Sequence, residues 1–118
     1  MTNRTDARRR LEEYRAAADS LEVARRMVAA GCDPSACELT EREIRLDDVS
    51  DRCEEVLDEC SKVAAPWVAD ALRLHYLQGM TWEQAAEIVA YSEQHVRRCT
   101  TAALDAVGRA RRARETRP

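Results

Sequence analysis

The residues best equipped for chemistry in this sequence are polar and closely spaced: Glu93, Gln94, Arg97, Arg98 and Thr101. On a helix they share one face, because Val96, Cys99, Ala103, Leu104 and Val107 recur at three- and four-residue steps on the other. Each type suits a base edge in the DNA major groove. Arg bonds guanine O6 and N7, Gln bonds adenine N6 and N7, and Glu accepts from the cytosine amino group. Without a nucleic-acid partner, the same set is an ordinary solvated face.

Reading bases requires that this helix be presented end-on by its neighbours. Thr81 is an N-cap, and Gln84 three residues on completes a capping box. Ala85, Ala86 and Val89 follow as an apolar stripe. The pattern breaks at Tyr91-Ser92, where Ser92 is a second N-cap. A short capped helix, a turn and a longer capped helix make a helix-turn-helix, whose second helix enters the major groove by its N-terminal turns. The candidate DNA contacts are therefore Thr81 and Ser92 at the helix ends, with Glu93, Gln94, Arg97, Arg98 and Thr101 on the reading face.

The order of these residues resembles region 4 of bacterial sigma factors, the domain that reads the −35 promoter element. Leu72 to Val107 carries it: LRLHYLQG, then TWEQAAE, YS, VRR and a final AL. More closely, the chain is similar to small phage proteins of the ArpU and RinA type, which join a helical N-terminal part to a sigma-region-4-like domain. The resemblance implies a regulator of late phage transcription acting on double-stranded DNA with host RNA polymerase. Sigma factors use a further domain to open the −10 region, which implies an accessory factor here. Two positions depart from the pattern. Ala90 stands where such turns carry Gly, so a left-handed backbone there costs about 1 kcal/mol. Ala85 and Cys99 replace larger aliphatics, which predicts a looser core.

The chain has 118 residues, with no Phe, three Gly and three Pro. Its abundance of Ala, Arg and Glu predicts an all-α protein. No apolar run is long enough for a transmembrane helix, and no h-region follows the N-terminal arginines, so the expectation is a cytoplasmic protein with no membrane partner. The net charge is −3, but it is unevenly placed: −5 over residues 1–65, +2 over 66–118, and +4 from Glu93 onward. That asymmetry fits an acidic appendage on a DNA-binding end. The five cysteines form no C-x-x-C pair. They read as reduced, small apolar side chains, without a metal or other cofactor. Nothing forms a nucleophile–base pattern or a Gly-rich phosphate loop, so no enzyme is expected.

Two longer helices precede the motif. The first starts at Thr5 or Asp6, carries Leu11, Tyr14, Ala18, Leu21, Ala24 and Val28 as a narrow stripe, and ends at Gly31. The second opens with Thr40 as N-cap, Glu43 closing a capping box and Leu39 stapled to Ile44; Val49, Cys53, Val56, Cys60 and Val63 form its seam. A coiled-coil-like antiparallel hairpin follows, over residues 1–65, whose seam closes within one chain or between two as a homodimer. Its acidic outer face is solvated or docks on a basic partner such as RNA polymerase. Pro66 then opens a support helix bearing Trp67, Val68, Ala71, Leu72, His75 and Tyr76 inward, and residues 66–110 make a three-helix domain. Ile88 falls on its solvent side. After Gly108, the arginine-rich tail through 111–118 reads as frayed and free to touch phosphates. The alternatives to a transcription regulator are a phage small terminase subunit recognising packaging-site DNA, and a polymerase- or sigma-binding module that touches no DNA.

Overall fold

A computed structural model describes residues 3–115. Among the described residues there are five α-helices: α1 (Asn3–Ala29), α2 (Leu39–Val63), α3 (Pro66–Leu72), α4 (Trp82–Val89) and α5 (Glu93–Glu115); a π-helical turn, Arg73–Leu77, extends α3. The all-α architecture is the one the composition predicts, and α1 and α2 pack together as the expected hairpin. Among the described residues, no helix is long and apolar enough to cross a membrane.

Leu11, Leu21 and Ala24 of α1 and Val49, Cys53, Val56 and Cys60 of α2 are buried, as the two stripes require. Ala17 is buried in place of Ala18, and Leu57 joins the seam, while Val63 is 52% exposed. The seam is closed within one chain. It is also not a separate core. Ala7, Leu11, Val56, Leu72, Tyr76, Leu104 and Val107 belong to one buried cluster, so a single core runs across the junction between residues 65 and 66. The reason lies in α1, which packs against both α2 and α5.

Several expected helix ends move. α1 begins at Asn3, with Thr5 and Asp6 already inside it. α2 begins at Leu39 with Glu38 as its N-cap, in the left-handed region at φ 54 and with no side-chain cap, so the Thr40–Glu43 box does not form. The loop supplies the bonds instead. Leu39 N–H donates to Pro34 O and Arg42 N–H to Glu38 O, while Cys37 is buried beneath. Ile44 is 64% exposed and staples to nothing in the core. Pro66 occupies the first turn of α3 as its fixed φ favours.

The tail is helical as far as Glu115. α5 runs through Gly108 to Glu115, and residues 116–118 lie outside the described residues. A Gly inside a helix costs about 1 kcal/mol, and two contacts oppose that cost. Val107 is buried against the common core. Beyond it, Arg111 Nε donates to Glu59 Oε2 at 3.0 Å and Arg114 Nη2 to Glu59 Oε1 at 2.9 Å. Part of the acidic face of α2 thus receives the basic end of the same chain. A second cross-link, Arg73 to both oxygens of Glu54 at 2.6 and 3.0 Å, ties α2 to the π turn and holds the Glu54 carboxyl below its usual range.

Two outcomes follow. Arg111 is 13% exposed and Glu59 24%, so Arg111→Ala lowers stability by about 1–2 kcal/mol, between the values for exposed and buried pairs. Urea unfolding followed by circular dichroism checks this; an unchanged midpoint would mean that the pair contributes nothing. Ala90 takes φ 65 and ψ 39, so Ala90→Gly raises stability by about 1 kcal/mol, a rise in melting temperature and not a fall.

Candidate nucleic-acid interface

Both helices of the motif are capped by the residues that sequence singles out. Thr81 Oγ1 accepts from Gln84 N–H at 3.1 Å, and Thr81 N–H donates to Gln84 Oε1 at 3.0 Å. Ser92 Oγ accepts from His95 N–H at 3.2 Å. Between them α4 ends on the left-handed Ala90, and Tyr91 N–H reaches back to Ala86 O at 3.2 Å. That bond, spanning five residues, is the Schellman closure that a left-handed residue permits. The angle between the helices is then set by a small core of Ala71, Ala86 and Val96, flanked by Trp67, Trp82 and Val89.

Inward and outward faces of α5 divide much as the spacing predicts. Val96, Ala103, Leu104 and Val107 are buried. Cys99 is only half-buried, and Thr100 is the additional inward residue, its hydroxyl donating to Val96 O at 2.8 Å. Glu93, Gln94, Arg97 and Arg98 are all exposed on the first two turns, while Thr101 is half-buried at the edge of the face. The structure therefore brings Glu93, Gln94, Arg97 and Arg98 together and sets Thr81 and Ser92 at the two helix N-termini. Ile88 is 58% exposed, on the solvent side as expected.

Two arginines on the face are held in place. Arg97 Nε donates to Glu93 Oε2 at 2.9 Å, and its guanidinium carbon stands 6.0 Å from the centre of the Trp82 ring. An exposed pair of this kind contributes little to stability; its consequence here is to restrict where the Arg97 donors point. Arg98 Nη2 donates to His95 Nδ1 at 3.0 Å.

Aromatic contacts behind the face are not evident from sequence. Trp67 stacks on Tyr91 at 4.4 Å, which pins the turn of the motif to α3. Trp82 stacks on His75 at 3.8 Å and meets Tyr76 edge-on. His75 Nδ1 lies 2.7 Å from Met80 O; a carbonyl only accepts, so Nδ1 carries the proton. That bond fastens the Gly79–Met80 turn that leads into α4. The wide π turn is what lets the neighbours His75 and Tyr76 both face the motif. His75 is thus a structural member of the site, as its position on an apolar stripe suggests.

Burial pushes His75 below its ordinary value, and the nearby Arg97 and Arg8 add to this, against the bond to Met80. The unfolded chain then takes up a proton more readily than the folded one. Stability is complete well above the ordinary value near 6.5 and is lost as pH falls through it. A melting temperature that drops between neutral and mildly acidic pH, with a shallower drop in His75→Phe, is the expected result; equal drops in both proteins would place the effect elsewhere. Among the described residues, no group of His, Cys, Asp and Glu could hold a metal ion, and the cysteines are free thiols. Comparison of the chain with models of protein families, with curated proteins and with solved structures gives no match.

Proposed function

We propose that this chain is a sequence-specific DNA-binding transcription regulator, and a binding protein rather than an enzyme. One observation carries the reading. Glu93, Gln94, Arg97 and Arg98 stand exposed on the first two turns of a capped helix, which a second capped helix and a left-handed turn hold at a fixed angle. Those types at the end of such a helix suit the donor and acceptor pattern of the major groove. The resemblance to sigma region 4 supplies the setting: an accessory factor, phage-encoded in the ArpU and RinA manner, acting with RNA polymerase in the cytoplasm.

In this reading Arg97 is the principal base reader. Glu93 holds its Nε edge, which leaves the terminal nitrogens for guanine O6 and N7. Gln94 and Arg98 read the adjoining pairs. Glu93 also opposes indiscriminate binding, since its charge repels phosphates wherever Arg97 is not matched to a guanine.

Selection of bound duplexes from a random library tests the proposal. The expected outcome is an enriched motif of a few base pairs, and Arg97→Ala loses about 1–3 kcal/mol on that motif with relaxed preference at one position. A library that shows no enrichment, with no salt-sensitive binding to any duplex, removes the function.

A further inference from the structure

A protein that reads bases fixes its register through backbone phosphates, and those contacts supply much of its affinity. The motif brings few cations to that task. The exposed side of α4 carries Glu83 and Glu87. Arg111 and Arg114, which sequence assigns to a free basic tail, are turned onto Glu59 of α2.

A further cation on α1 stands beside the turn that leads into α4. A continuous path leads there: Arg97 lies over Trp82, Trp82 stacks on His75, and His75 lines an open cavity of about 610 Å³ between α1 and the turn before α4. Arg15 and Thr81 line the same cavity. The Arg15 guanidinium passes over Gly79 so closely that a Cβ there would stand 2.5 Å from its Nη1. Gly79 also has φ +74, so it serves both the turn and the passage of Arg15. Arg8 lies two turns back on the same face of α1.

We infer that Arg15, with Arg8 beside it, binds backbone phosphates of the duplex whose bases α5 reads, so that α1 is part of the DNA-binding surface. The inference rests on the DNA-reading function proposed above. It assigns to the cavity a phosphodiester oxygen, held by the Arg15 Nη donors. Asp19 forms an ion pair with Arg15 Nε at 3.5 Å, on the edge of the guanidinium away from the Nη groups. Glu12 also lines the cavity.

Fluorescence anisotropy on a selected duplex and on a scrambled one, at several salt concentrations, decides the matter for the full chain. Arg15→Gln weakens both duplexes by the same factor. The slope of log affinity against log salt becomes shallower by about 0.9, one phosphate contact, which is roughly a threefold smaller loss of affinity between about 50 and 200 mM salt. Arg15→Lys keeps the slope, because a phosphate accepts a point charge, whereas a packing role over Gly79 is not restored by it. Thermal unfolding of each variant separates lost contacts from lost fold. A folded Arg15→Gln with wild-type slope, or a changed base preference, overturns the inference while the DNA-reading function stands. Wild-type protein that binds neither duplex overturns both.

Discussion

The structure depends on one helix serving two neighbours. α5 has a single buried stripe, Val96, Thr100, Ala103, Leu104 and Val107. Its first half closes the small core with Ala71 and Ala86; its second half enters the large core with Leu11 and Val56. Separate domains on a flexible linker would leave the reading face free to swing relative to α1. Here the stiffness of one helix fixes it. Burial of that stripe, at about 1.5–3 kcal/mol for each fully buried aliphatic side chain, is therefore also what orients Glu93 to Arg98.

Charge follows from the same arrangement. An acidic appendage and a basic end can be read off residue counts, but counts do not say which way the two ends face. The carboxylates of α2 receive Arg73, Arg111 and Arg114. These pairs neutralise each other and leave Arg97 and Arg98 as the exposed cations at the start of α5. The acidic face that suggests a docking surface for a basic partner is in part already occupied by this chain. Glu41, Asp47 and Asp51 remain exposed along the rest of it.

What was legible in the sequence were features set within four residues of chain. The Thr81 box, the Ser92 cap and the left-handed strain at Ala90 all depend on neighbours, and all stand as expected. Buried stripes were legible in large part, with Ala17 buried in place of Ala18, Leu57 added and Val63 exposed. The failures share a cause. Thr40 and Glu43 have the right types for a capping box, but the turn at Pro34–Glu38 provides backbone bonds first and starts the helix earlier. Gly108 is a good local stop signal, overridden by the bond of Arg111 to Glu59, a residue 52 positions before it. The stack of Trp82 on His75 requires the π turn, and a run such as RLHYL gives no local sign of one.

The left-handed Ala90 illustrates how local strain and tertiary structure meet. Its φ 65 costs about 1 kcal/mol that Gly would avoid. The turn is nevertheless held from three sides: by the Tyr91 bond to Ala86, by the Ser92 cap, and by Tyr91 stacked on Trp67. A glycine would relieve the strain while widening the range of angles open to the unfolded turn. With Ala, the left-handed conformation is the disfavoured one, so these three contacts are what hold the angle between α4 and α5. In the function proposed for α5, a fixed angle matters more than the small loss of stability, because a misplaced guanidinium would forfeit both of its hydrogen bonds to guanine.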